Sequence, residues 1–228
     1  MHILSNPLIW ILLVATVLTF SWLLRFRERL KLKTVGVIIL SICQTLVGTA
    51  SVKLFAALEG VPGEMRIYGA VFFLPVFCFM VSLILKIKVY ETFDIITISA
   101  VITFAVARIN CLISGCCSGV YIEKLGIDFP VREIEIFYYF LFWNFIGIKV
   151  IKNKSNGIVY PLYLLSYGLL RFALEFVRNN DPVFGPFHLA HIWSAISALA
   201  GAAAFIYIAV KRSLTLAERR AASTGRKV

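Results

Sequence analysis

Seven long apolar stretches separated by short polar segments run along the 228-residue chain, near 3–24, 34–58, 67–85, 95–116, 134–151, 157–177 and 188–210. Crossing the hydrocarbon core of a bilayer takes about 20 residues of helix, so each stretch predicts a membrane-spanning helix, the fifth being the shortest. The first lacks a basic segment ahead of it and is followed by positive charge, the pattern of a retained span and not of a cleavable signal. The longest connection, 117–132, is too short to bury a core of its own. The pattern therefore predicts an all-α polytopic membrane protein of about seven transmembrane helices. Residues 1–212 form a single domain, and a basic tail over 213–228 is expected to finish the last helix briefly and then be disordered. There is no internal repeat and no matched pair of broken spans.

Charge fixes an expected orientation. Arg25, Arg27, Arg29, Lys31 and Lys33 follow the first span, Lys86 and Lys88 the third, Lys149, Lys152 and Lys154 the fifth, and Lys211, Arg212, Arg219, Arg220, Arg226 and Lys227 the seventh. All these clusters fall on one side, which should be cytoplasmic, leaving the amino terminus outside and the carboxyl terminus inside. The opposite loops, Glu59 to Arg66, Glu123 to Glu135 and Arg178 to Phe187, carry more acid. A composition of 60% hydrophobic and 15% charged residues excludes an ordinary soluble domain. The net charge of +11 sits in short interspan clusters that suit anionic lipid, so the bilayer is the expected partner and nucleic acid is not.

A few polar residues break the apolar pattern within the spans. Arg108 stands alone in the fourth, where an arginine near a helix centre costs about 2.5–3.5 kcal/mol and so faces protein or water. In the expected orientation it lies about 10–15 Å below the outer end of that helix. It precedes Asn110-Cys111-Leu112-Ile113-Ser114-Gly115-Cys116-Cys117-Ser118-Gly119, a small and polar run suited to close approach of a ligand. The sixth span carries Arg171, Glu175 and Arg178 at i, i+4 and i+7, one helical face at the same depth. The third begins outside with Arg66-Ile67-Tyr68-Gly69. The span-six stripe reads either as a salt-bridge ladder or as an anion site. Arg108 shifts that balance toward the anion site, because Glu175 can neutralise one arginine only and a lipid phosphate suits the surplus charge.

His188 and His191, three apart at the outer start of the seventh span, offer a base or a hydrogen-bond donor to lipid. They do not add up to a metal set with Cys116 and Cys117, because adjacent cysteines seldom both point at one ion, and the pair reads as small packing beside Gly115 and Gly119. No metal and no cofactor are expected. The five cysteines, Cys43, Cys78, Cys111, Cys116 and Cys117, do not form a secreted disulfide framework.

Two of these segments resemble the bacterial prolipoprotein diacylglyceryl transferases. Ala107-Arg108-Ile109-Asn110-Cys111-Leu112-Ile113-Ser114-Gly115-Cys116-Cys117-Ser118-Gly119 is similar to the family segment Gly-Arg-x-Gly-Asn-Phe-x-Asn-Gly-Glu-x-x-Gly, with Arg108, Gly115 and Gly119 in register. Tyr167-Gly168-Leu169-Leu170-Arg171-Phe172-Ala173-Leu174-Glu175-Phe176-Val177-Arg178 is similar to Tyr-Gly-x-x-Arg-x-x-x-Glu-Phe-x-Arg. Ile67-Tyr68-Gly69-Ala70 stands where the family has Phe-His-Gly-Gly, and Phe129-Pro130-Val131-Arg132-Glu133-Ile134-Glu135 where it has His-Pro-x-Gln-x-Tyr-Glu. Tyr68 thus replaces a histidine, Cys111 an asparagine, Cys116 a glutamate and Phe129 a second histidine.

The resemblance implies transfer of diacylglyceryl from phosphatidylglycerol to the thiol of a lipobox cysteine in a prolipoprotein, at the outer leaflet of the bacterial cytoplasmic membrane. Arg108, Arg171, Glu175 and Tyr68 are then the catalytic candidates. The arginines face the leaving phosphate, Glu175 orients them, and Tyr68 or Glu175 assists the thiol. Gly69, Asn110, Gly115, Cys116, Gly119, Arg178 and His191 are the substrate-binding candidates, with Arg178 guiding the headgroup. The competing reading is a non-catalytic anionic-lipid-binding or transport protein, which would need a polar route to the cytoplasmic half. Gln44, Lys53 and Asn144 are the few polar groups available to line one.

Overall fold

Asp94, a buried acid in the first turns of the fourth helix, accepts hydrogen bonds from the backbone N–H groups of Gly157 (2.8 Å) and Val159 (3.1 Å). It thereby satisfies donors that the sixth helix exposes at its start, where no side chain of its own caps it. At the same end, Arg29 Nη1 donates to the Val150 carbonyl (2.8 Å) and Arg29 Nε to Glu91 (3.0 Å), closing the end of the fifth helix. The computed structural model in which these contacts occur describes residues 7–61, 65–152, 157–178 and 187–224.

Its helices are α1 (Pro7–Arg25), α2 (Thr34–Leu58), α3 (Ile67–Leu85), α4 (Val89–Ser114), α5 (Val131–Ile151), α6 (Val159–Glu175) and α7 (Leu189–Thr224). α2, α3, α4, α5 and the Leu189–Thr215 part of α7 are long and apolar enough to cross a membrane. α6, at 17 residues, and the described apolar part of α1, Ile9–Arg25, are shorter. Large side chains such as Ile39, Leu46, Leu83, Ile84, Phe145 and Leu199 stand exposed around the bundle. So broad an apolar exterior suits lipid and not water.

α4 is the hub, packing against α1, α3, α5 and α6. Its start at Val89, earlier than the apolar stretch, follows from the partners found by its charged first turns: Glu91 with Arg29, and Asp94 with the start of α6. α6 and α7 approach so closely that a Cβ on Gly168 would lie 2.6 Å from the Ala198 nitrogen and one on Gly201 2.4 Å from the Leu165 nitrogen. This small-residue seam brings the start of α7 beside the charged face of α6.

α6 buries a continuous stripe, Tyr160, Tyr163/Leu164, Tyr167/Gly168, Arg171 and Leu174/Glu175, at helical spacing. Tyr163 and Tyr167 stack at 5.4 Å, Tyr139 of α5 stacks on Tyr167 at 5.8 Å, and Phe104 of α4 stacks on Tyr163 at 6.0 Å. This aromatic column is the core beneath the polar residues of the site. Two of the polar groups that could line a route inward are held by neighbours, although the Gln44 amide nitrogen has no partner among the described residues and lines the groove between α2, α3 and α4. Gln44 accepts a hydrogen bond from Ser99 (2.9 Å), and Asn144 donates to the Phe140 carbonyl of its own helix (2.8 Å).

Two features depart from what the sequence predicts. The α4–α5 connection folds a two-stranded hairpin, β1 (Tyr121–Ile122) with β2 (Ile127–Asp128), in which Tyr121 pairs with Asp128. α7 runs to Thr224, through most of the tail expected to be disordered, because Leu214 to Ala222 is rich in alanine, leucine, glutamate and arginine, strong helix formers. Residues 225–228 of that tail, residues 3–6 of the first expected span, and residues 62–64 and 179–186 of two expected outer loops lie outside the described residues.

Candidate active site

Three helices deliver charge to one buried point. Arg108 reaches it from the last turns of α4, Glu135 from the second turn of α5, and Arg171 with Glu175 from the last turns of α6. Both carboxylates are 0% exposed, and Arg108 and Arg171 are 7% and 3% exposed. Glu135 Oε1 accepts from Arg108 Nη2 (3.1 Å), Arg171 Nη1 (3.1 Å) and the Tyr167 hydroxyl (3.4 Å). Arg108 Nε lies 2.8 Å from Oε2, off the axis of a hydrogen bond. Arg171 then turns its Nη2 to Glu175 Oε2 at 2.9 Å. The same oxygen faces Arg178 Nη1 at 3.8 Å, and Oε1 faces His188 Nδ1 at 3.6 Å.

The result is a chain of alternating charge: Arg108, Glu135, Arg171, Glu175, Arg178. Burial of these ions is tolerable because each carboxylate lies between two guanidiniums, and the ladder still holds one more cation than anion. Arg108 donates one hydrogen bond to Glu135 through Nη2 and faces it with Nε, and its Nη1 amino group has no hydrogen-bond partner among the described residues. Both readings of the span-six stripe therefore have a physical basis. It is a ladder, and the ladder ends in positive charge.

Glu135 is the member that sequence reasoning left out of the site. Its signal was available: an acid inside an apolar span, at a position that the family resemblance preserves. Glu175 is therefore not the sole counter-ion expected from the sequence, because Glu135 pairs with both Arg108 and Arg171.

Tyr68 lies within electrostatic range of Arg171 and Glu175 without bonding to them. Its buried hydroxyl pairs with Ser194 Oγ and lies 3.4 Å from the Ala190 carbonyl, and no hydrogen bond joins it to the charged residues among those described. Ser194 itself donates to the Ala190 carbonyl at 2.6 Å. Tyr68 therefore fastens α3 to α7.

Gly69, expected beside substrate, instead meets α2: a Cβ there would lie 2.1 Å from the Ser51 carbonyl oxygen. Gly119 likewise serves packing, since its Cβ would lie 2.5 Å from the Phe129 oxygen and 2.9 Å from that of Val177. Through this contact the hairpin loop is laid on the end of α6. Gly119 bridges Arg178, and the Val120 N–H donates to the Val177 carbonyl at 2.8 Å. Gly115 caps α4 in the left-handed conformation, φ +70°. Asn110 contributes its backbone carbonyl to the Ser114 hydroxyl (2.9 Å).

His191 is 2% exposed, edge-on to Phe172, Phe176 and Phe187. Its Nδ1 accepts the His188 N–H (3.0 Å), so the neutral ring carries its proton on Nε2, which has no partner among the described residues. His191 is thus arranged as a donor. His188, half-buried with Nδ1 toward Glu175, is the imidazole placed like a base.

The cysteines depart from expectation. The thiols of Cys111, Cys116 and Cys117 all lie within 4.8 Å of one another. The premise that the adjacent pair points apart fails because Cys117 adopts φ +61°, folding the turn back on α4. A hydrogen bond from the Cys111 thiol, aided by the positive field of Arg108, outweighs burial and pushes the Cys117 thiol down to about 5.

The family model described as prolipoprotein diacylglyceryl transferase matches residues 37–207, which contain every charged residue of this site. The chain belongs to the prolipoprotein diacylglyceryl transferase family. It is 30% identical over 129 residues to phosphatidylglycerol–prolipoprotein diacylglyceryl transferase 2 of Clostridium perfringens, covering 50% of this chain and 50% of that protein. It is 30% identical over 94 residues to the phosphatidylglycerol–prolipoprotein diacylglyceryl transferase of Clostridioides difficile, covering 39% and 38%. To the protein of the same name from Dehalococcoides mccartyi it is 28% identical over 92 residues, covering 34% and 35%. The chain spans half or less of the length of these curated relatives. No solved structure matches it.

Proposed function

We propose that this membrane protein transfers diacylglyceryl from phosphatidylglycerol to a cysteine thiol of a lipobox prolipoprotein, at the outer leaflet of a bacterial cytoplasmic membrane. In this reading all seven helices cross the bilayer, the amino terminus is outside, and the ladder lies below the outer surface. The observation that carries the reading is the meeting of Arg108 and Arg171 on Glu135, with surplus positive charge at the ladder's ends.

The acceptor thiolate attacks the glyceryl carbon bonded to the phosphate oxygen. A carbon–sulfur bond forms, the carbon–oxygen bond breaks, and glycerol phosphate leaves with the electron pair. Negative charge gathers on the departing phosphate. Guanidiniums already fixed by carboxylates stabilise it without reorganising at the moment of reaction. The Nη1 group of Arg108 and the loosely paired Arg178 supply the donors, while Arg171 is held by Glu135 and Glu175.

His188, oriented by Glu175, takes the proton from the acceptor thiol, the task for which the family's histidine is absent at Tyr68. Tyr68 is then a positioning residue, and His191 offers its Nε2–H to the headgroup. A shallow, mainly apolar groove between α2, α3 and α4, lined by Gly48, Leu74, Phe77 and Phe104 among others, is the surface along which an acyl chain would lie.

Complementation tests this function. A bacterium depleted of its own transferase should grow and lipidate its prolipoproteins when supplied with this chain, and should fail with Arg108→Ala. A lipid binder without chemistry cannot rescue it, so failure of the expressed, membrane-inserted chain would overturn the reading.

A further inference from the structure

Three thiols at the mouth of the proposed site play no part in the chemistry above. We propose that Cys111, Cys116 and Cys117 form a binding site for a soft, thiophilic d10 metal ion, with monovalent copper the best match.

The geometry is close to that of a bound state. Metal–thiolate bonds of about 2.3 Å arranged trigonally around one ion place the sulfurs about 4.0 Å apart. All three sulfurs already lie within 4.8 Å, so closure needs shifts of less than an ångström. The backbone is committed to this arrangement. α4 ends at Gly115 with φ +70°, and Cys117 follows in the left-handed region at φ +61°, a conformation that non-glycine residues rarely adopt. That turn brings Cys117 back to Cys111, six residues earlier on the helix.

The surroundings suit an anionic thiolate complex. The Ser114 hydroxyl donates to Cys116 Sγ at 3.3 Å, and Arg132 Nη1 donates to the Cys116 carbonyl at 3.3 Å. A monovalent ion on three thiolates carries two net negative charges, and the positive field of Arg108 at the end of the ladder, with Arg132 at the Cys116 carbonyl, offsets part of them. Cys116 is exposed, so an ion has a path in.

The donor set selects the metal. Thiolate sulfur favours monovalent copper and zinc over hard cations. Among the described residues the group is three cysteines without a histidine or carboxylate. Monovalent copper is satisfied by three sulfurs, whereas structural zinc takes four ligands.

The test uses the full chain, purified in detergent, reduced and metal-free under anaerobic conditions. It is titrated with Cu(I) against a chromophoric Cu(I) chelator, and separately with Zn(II). We expect one Cu(I) retained per chain, binding weakened at least tenfold by each of Cys111→Ser, Cys116→Ser and Cys117→Ser, and no change with Cys43→Ser or Cys78→Ser. Alkylation of the wild-type chain, read by mass spectrometry, gives a measurement independent of variant folding. Cu(I) should protect these three cysteines and leave Cys43 reactive. The proposal is overturned if the chelator strips all copper from the wild type, if the three variants hold it as tightly, if alkylation is unaffected, or if zinc is preferred.

Discussion

Glu135 holds two guanidiniums at once, and the arrangement of the site depends on it more than on any other side chain. With Glu135→Gln, Arg108 and Arg171 remain buried, face each other, and lose half of the ladder's negative charge. Breaking a buried ion pair costs about 3–5 kcal/mol. The expected outcome is a clear fall in the thermal unfolding midpoint in detergent, and an unchanged midpoint would show that the ladder does not hold the helices. His188 makes a different prediction, because among the described residues its one charged contact is with Glu175, at 3.6 Å. His188→Ala should leave the unfolding midpoint nearly intact and slow transfer by about 100-fold, the lower range for loss of a general base. Added imidazole should restore part of the rate. A variant as fast as wild type would remove His188 from the mechanism.

At the scale of the helix, position is set by contacts that propensity does not reveal. Asp94 caps α6 from α4, across 63 residues of sequence, and Asp94→Ala should destabilise the fold by about 0.5–2 kcal/mol, the range for a lost cap. Gly168→Leu should do more harm to transfer than to insertion, since it forces α7 away from α6 and carries His188 from Glu175. Comparable transfer rates for Gly168→Leu and wild type in purified protein would contradict that coupling. These cases show where sequence reading succeeded and stopped. Helix positions followed from apolar runs, and spacing placed Arg171 and Glu175 on one face of α6, whereas Arg178, expected on the same helix, lies in the turn beyond its end and bridges Gly119. Glu135 was missed as a site member, and the cysteine pair was read as packing, because both depend on which helices meet. At Gly69 the sequence suggested a ligand contact and the structure shows close packing on α2, a requirement for glycine that one sequence does not reveal.

For the whole molecule, the orientation predicted from charge makes the α4–α5 hairpin external and the Arg25–Lys33 turn cytoplasmic. In a background with the five cysteines replaced by serine, Leu125→Cys should react with a membrane-impermeant maleimide in intact cells. Lys88→Cys should react only after permeabilisation, and the reverse pattern would invert the proposed topology. The hairpin is short, yet it lies on the end of α6 through Gly119 and Arg178, next to the ladder and the three thiols. One small element thus lies beside both the proposed transfer site and the proposed metal site, and the labelling experiment decides which side of the membrane it faces.

The measurement closest to the central claim is mass spectrometry of a synthetic lipobox peptide incubated with purified protein and phosphatidylglycerol. Wild-type chain should attach diacylglyceryl to the peptide cysteine as a thioether and release glycerol phosphate, and Arg108→Ala and Glu175→Gln should do neither. Full transfer by both variants, or none by a correctly folded wild type, would contradict the account.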